Sequence, residues 1–166
     1  MTAEPPGAED DGAGLDVRPT EAARERLGWR PTVEGFERIR SLWIAHSKAE
    51  DARDLPGLLA TLSRDCVYEL VPAGRRWEGH DGARAFYTGL LGAFPDVRFA
   101  LQDIVIGPQG VVEFAAMAAT QAAPWEGFTA PGGRVRLGVV IHFPWNPASE
   151  RFTGERIYLD PRDLEG

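Results

Sequence analysis

One cysteine, one lysine and three histidines stand in 166 residues, and each scarcity excludes something. Cys66 alone cannot close an intrachain disulfide or build a thiolate cluster. His46, His80 and His142 form no HxH or HExxH spacing, so no metal is expected. No GxGxxG follows a strand pattern, and neither GxxxxGK[ST] nor GxSxG occurs, so the common nucleotide-binding and serine-hydrolase signatures are missing and no cofactor is expected. Clustered bases are missing too. Lys48 is the only lysine, the arginines are scattered, and 25 acids against 18 bases give a net charge of -7, a balance unsuited to the phosphate contacts that nucleic acid requires. No apolar run nears the roughly 18 residues that cross a bilayer. The opening MTAEPPGAEDDGAG has neither a basic start nor an apolar signal segment, so a cytoplasmic protein without membrane contact is expected.

What is present is the composition of one globular domain, 43% apolar and 26% charged, on a chain long enough to bury a single core without staples. Residues 1–30 carry seven acids, four bases, Pro5, Pro6 and several glycines ahead of any periodic apolar pattern, and read as a disordered tail. Within it a short helix over 20–27 is open, with Thr20 as cap and Gly28 as stop. The domain is expected over 31–166.

From Thr32 onward, Phe36, Ile39, Leu42, Trp43 and His46 recur at three- and four-residue steps, the stripe of a helix running to about residue 51. Leu55, Leu58, Leu59 and Leu62 repeat that spacing behind Asp54, so a second short helix packs on the first as a hairpin. A β-branched and aromatic run over 66–71 reads as a strand, 76–78 as its return. A third helix spans about 81–93, stopped by Pro95. Beyond it the period becomes two: strands are expected over 97–106, 111–123, 135–145 and 152–159, with a turn at 107–110 and a loop rich in Pro and Gly over 124–133. Helices followed by a meander of long antiparallel strands make an α+β fold in which one curved sheet wraps the helices.

The order of helix, helix and short strand is followed by Trp77-Glu78-Gly79-His80-Asp81-Gly82 opening a helix. Phe94-Pro95-Asp96 then opens a strand, and Glu155-Arg156-Ile157-Tyr158-Leu159-Asp160 ends the chain's last strand. Together these resemble the SnoaL-like polyketide cyclase branch of the nuclear transport factor two-like superfamily, over about residues 32–160. The resemblance implies a cone, a strongly bent antiparallel sheet closed by helices around a deep apolar pocket. It also implies a homodimer joined through the outer face of the sheet, for which Val135, Leu137, Val139 and Ile141 offer apolar surface, and a setting in antibiotic biosynthesis. Because this superfamily hosts cyclases, isomerases, epoxide hydrolases and proteins without known catalysis, the fold does not name a reaction.

Side chains alternate along a strand, so Arg156, Tyr158 and Asp160 share one face of the last strand. If that face looks into the cone, desolvation raises the Asp160 carboxyl and makes it a general acid or base near neutral pH. The resemblance implies such an aspartate, and a histidine on the preceding strand. His142 is that candidate, free to pair with Asp160 across the hairpin and, with Tyr158, to hold an enolate oxygen. The other reading of Asp160 is a strand-end turn residue. Trp43 and His46 on the first helix, Tyr68, Trp77, Phe86, Tyr87, Trp125 and Phe128 are candidates to line a hydrophobic substrate, as is Arg156. Ordinary core packing is the plain alternative for each aromatic, and a bond to a backbone carbonyl for His46. Gln121, standing where the resemblance implies a histidine in many relatives, is a further substrate-binding candidate. The expected function is cofactor-free acid–base catalysis on a polycyclic or polyketide-like carbonyl compound, by aldol cyclisation or isomerisation. The alternative is a cone that binds a small molecule or dimerises without turnover.

Overall fold

The computed structural model describes residues 19–129 and 131–159. Residues 1–18 of the tail expected over 1–30 lie outside the described residues, as does Asp160. Helix α1 (Glu21–Leu27) is capped by the Thr20 hydroxyl, which accepts from the Ala23 amide, and is followed by Gly28. The Gln109 side-chain amide donates to the Arg26 carbonyl at 2.9 Å and ties this helix to the rest of the chain. Helix α2 (Val33–Asp51) starts on a second threonine cap, Thr32, and buries Ile39, His46 and Ala49. Helix α3 (Leu55–Ala60) follows Asp54, whose carboxylate accepts from the Gly57 amide.

Leu62, expected on that second helix, instead opens strand β1 (Leu62–Leu70). Thr61 is the reason. Its amide and its hydroxyl both bond back to the Leu58 carbonyl and close the last helical turn, and Leu62 is released to pair with Phe152. Strand β2 (Arg75–Glu78), helix α4 (Gly79–Ala93) and strands β3 (Arg98–Gly107), β4 (Gly110–Thr120), β5 (Arg134–Asn146) and β6 (Arg151–Tyr158) complete the described chain. The sheet order is β2-β1-β6-β5-β4-β3, with β1 and β6 parallel and every other pair antiparallel. The sheet is curved and unclosed, and the helices lie on its inner face. No helix among the described residues is long and apolar enough to cross a membrane.

Alternation along the strands decides what enters the core. Val111, Glu113, Ala115 and Met117 of β4 are buried, as are Val135, Leu137, Val139, Ile141, Phe143 and Trp145 of β5. The four β5 residues expected to form an outer apolar face therefore point inward and pack under the helices. The outer face carries a different row: Phe114, Val140 and Tyr158 stand in register on β4, β5 and β6. Val105, Phe114 and Tyr158 are exposed.

Strand β6 gains one residue against β5 between the Trp145–Phe152 and His142–Arg156 pairs, a bulge with Gly154 at φ +120°,. The extra residue lets Phe152 and Glu155, three positions apart, both face the interior. A Cβ at Gly154 would overlap the Val67 backbone of the parallel neighbour. Gly154→Ala is expected to lower stability by about 3 kcal/mol or more, since it combines positive φ with backbone overlap. Gly92→Ala, in α4 with open space around it, is expected to raise stability by about 0.5–1 kcal/mol through helix propensity. Thermal or urea unfolding of both variants beside the parent checks the pair.

Candidate functional site

The centre of the interior is a carboxylate. Glu155 on β6 is only 3% exposed, and its Oε1 accepts from the hydroxyls of Tyr68 on β1 and Tyr87 on α4, each at 2.7 Å. The same oxygen lies 2.9 Å from His46 Nε2 on α2. Four elements thus converge on one atom. The burial of a carboxylate is tolerated where donors replace its water, and here two phenols and an imidazole replace it.

One more bond orients the imidazole. Thr61 donates its hydroxyl to the Leu58 carbonyl at 2.7 Å, so its oxygen must accept from His46 Nδ1, also at 2.7 Å. With the Nδ1 proton fixed toward the Thr61 oxygen, Nε2 is left facing Glu155 Oε1 at 2.9 Å and the Tyr87 hydroxyl at 3.3 Å,. Burial, and then the charge of Glu155, hold the Tyr68 and Tyr87 phenols well above their ordinary range, so both stay donors,.

Two further carboxylates face this one. Glu113 on β4 is buried and accepts from the Trp43 indole N–H at 3.0 Å. Burial first and the charge of Glu155 second raise it to about 7, against the pull of the Trp43 bond. Glu50, near the end of α2, is partly exposed and is likewise raised, by burial and then by Glu155, Glu113 and Asp51, with Arg53 opposing. Glu50 and Glu155 line one cavity whose other walls are apolar, among them Phe86, Leu90, Phe99, Met117, Trp125 and Ile157. The space open to the centre of a water molecule there is about 20 Å³, room for about one water. Among the described residues no three His, Cys, Asp or Glu side chains are grouped to hold a metal ion.

The residues expected from sequence divide between the two faces of the sheet. Trp43, His46, Tyr68, Phe86 and Trp125 lie on the inner side, with Trp77 packed edge-on against Phe86. His142 and Arg156 are in register with each other on the outer face. There burial and the Arg156 and Arg26 charges hold the His142 ring below its ordinary range. Arg156 is exposed and 3.6 Å from Glu69, and Tyr158 is 44% exposed. The Arg156–Tyr158 face therefore looks away from the cone, because Ile157 and Leu159 take the inside; Asp160 lies outside the described residues. Gln121 is buried and donates to the carbonyls of Ala123 and Phe128, bracing the loop that carries Trp125. Sequence reasoning missed Glu155, Glu113 and Glu50 as site residues and read Tyr87 only as aromatic lining. The signal for Glu155 was its place on the face of Ile157 and Leu159, and for Glu113 its place between Val111 and Ala115.

Because Glu113 is raised from 4.5 to about 7 on folding, its contribution to stability is lost as pH rises between those values. Glu113→Gln keeps an acceptor for Trp43 and stays neutral. It is expected to unfold like the parent at pH 4.5 and to be the more stable of the two at pH 8, by at most about 3 kcal/mol. Melting temperatures across that range check both the sign and the window.

The comparisons with known proteins bear on this geometry. Residues 43–147 match the family model described as the SnoaL-like domain. The sequence matches no curated protein. Among solved structures it is similar to a putative SnoaL-like polyketide cyclase from Jannaschia sp. CCS1, with 17% identity and a TM-score of 0.68 over 80% of this chain and 92% of that one. It is also similar to an NTF2-like protein of unknown function from Burkholderia pseudomallei, with 19% identity and a TM-score of 0.64 over 78% and 98%. A third is a Mycobacterium tuberculosis protein in complex with estradiol-17beta-hemisuccinate, with 14% identity and a TM-score of 0.61 over 78% and 98%. These structures share the α+β cone, and the family match covers more than half of the chain. The protein belongs to the SnoaL-like domain family.

Proposed function

We propose that this protein is a cofactor-free acid–base enzyme acting on an apolar carbonyl compound, with Glu155 and Glu50 as the groups that move the proton. The observation that carries this reading is a deeply buried carboxylate, met by three hydrogen-bonding side chains, on the wall of an apolar cavity that a second carboxylate shares. Glu155 takes a proton from the carbon beside the carbonyl. Glu50, inclined to keep its proton in this acidic interior, hydrogen-bonds the enolate oxygen as charge develops there. The proton then returns from Glu155 either to the alkoxide formed by ring closure or to a different carbon, as cyclisation or isomerisation requires. Tyr68, Tyr87 and His46 fix the carboxylate in place. A substrate larger than water enters by displacing Phe99 or Trp125, the partly exposed apolar members of the lining.

The steroid ester in the Mycobacterium tuberculosis neighbour makes rigid polycyclic ketones the first panel to try. Deuterium uptake from heavy water at the carbon beside the carbonyl, read by mass spectrometry, reports the proton step without knowledge of the product. Glu155→Gln and Glu50→Gln are expected to slow exchange by about a hundredfold to ten-thousandfold, while Asp160→Asn exchanges at the parental rate. Loss of exchange in Asp160→Asn with the glutamate variants intact would transfer the role to Asp160. Saturable binding of the panel without any exchange would favour a cone that binds without turnover.

The outer row of Phe114, Val140 and Tyr158, flanked by Val105, supports a homodimer formed sheet to sheet,. Phe114→Glu is then expected to halve the sedimenting mass. A parent protein that sediments as an 18.2 kDa monomer at high concentration would end that reading.

A further inference from the structure

A second hollow lies at the opposite end of α2 from Glu50. Its walls come from the segment preceding α2, from the first turns of that helix, from the β3–β4 turn and from the end of β5. About 340 Å³ is open there to the centre of a water molecule, within the range of small-molecule pockets, against about 20 Å³ at the carboxylate cavity. The two share no lining residue.

The floor is apolar and buried. Ile39 is 2% and Trp145 8% exposed, and Trp29 and Phe36 stand partly open at the sides. The wall that carries Trp29 is anchored through the Arg26 carbonyl, which accepts from both the Gln109 side chain and the Trp29 amide. The three aromatic side chains offer stacking surface.

Charge separates this hollow from the interior. Arg30 is the one charged residue in its lining, and among the described residues its guanidinium has no ion pair or side-chain hydrogen bond. The cone interior has the opposite character, with Glu50, Glu113 and Glu155 gathered within it. A flat aromatic anion would be repelled by those acids, whereas Arg30 at the rim of the second hollow can meet its acidic group while the ring enters between Trp29, Phe36 and Trp145.

We propose that the hollow between Trp29, Phe36, Ile39 and Trp145 is a binding site for a small aromatic acid, held by stacking and by Arg30 and distinct from the carboxylate cavity. The protein carries five tryptophans, of which Trp29 and Trp145 line this hollow and Trp125 lines the carboxylate cavity, so the indole N–H signals of a nitrogen-labelled sample report which site fills. The probe is 2-naphthoate, titrated beside the uncharged 2-naphthamide. Saturable shifts at Trp29 and Trp145, with Trp125 unmoved, are expected for naphthoate. Binding of the amide should be weaker by about five- to tenfold, and Arg30→Gln should weaken naphthoate by the same factor while leaving the amide unchanged. Arg30 is exposed, so this substitution leaves the fold intact. Shifts centred on Trp125, affinity indifferent to the charge of probe or residue 30, or no saturation up to millimolar probe would overturn the proposal. So would Trp29 and Trp145 signals that respond to protein concentration alone, since the occupant would then be a second copy of the chain.

Discussion

Everything inside the cone is arranged around the oxygen of a single buried carboxylate. Glu155 Oε1 draws Tyr68 from β1, Tyr87 from α4 and His46 from α2 to within 2.9 Å. Removing any of these partners leaves the others facing a charge with less compensation in a medium where water cannot enter freely. His46 is itself held by Thr61, and Thr61 closes the turn that ends α3 and releases Leu62 to β1. A polar chain therefore runs from a helix terminus through an imidazole to a strand. That chain adds directional bonds to the apolar contacts that hold the helices over the sheet.

The bulge in β6 makes this possible. Without the added residue at Gly154, strict alternation from Phe152 would turn Glu155 outward and bring Gly154 and Arg156 inside. The parallel neighbour β1 approaches Gly154 closely enough that only glycine fits. One backbone irregularity thus sets the phase of the whole strand. Its consequence is electrostatic: with Glu155 inside, Glu113 and Glu50 are raised by its charge as well as by burial. Three acids at close quarters share protons more readily than three isolated ones, because ionising each makes ionising the next harder.

The helices and strands were legible because their periods are strong. Phe36, Ile39, Leu42, Trp43 and His46 mark α2, and the alternation of Val135, Leu137, Val139 and Ile141 marks β5. Boundaries were less legible where a cap intervened, as at Thr61. The aromatic lining was also within reach, since Trp43, Tyr68, Phe86 and Trp125 fall on core-facing positions. The carboxylates were not read as interior because a glutamate between apolar neighbours looks like a solvated residue until its partners are known. Those partners are remote: Glu155 lies 109 residues from His46 and 87 from Tyr68.

Local pattern by itself determined the α+β class, the order of helices and strands, and the sets of residues that share a face, since these depend on contacts a few residues apart. It also carried the family, through short motifs spaced along nearly the whole domain. Tertiary structure alone decided which face of β6 is inside, which histidine meets a carboxylate, and that His142 sits beside Arg156 rather than in the cone. The reason is that alternation fixes relative and not absolute orientation. Absolute orientation comes from long-range packing, where Ile157 and Leu159 gain by leaving water and carry Glu155 in with them.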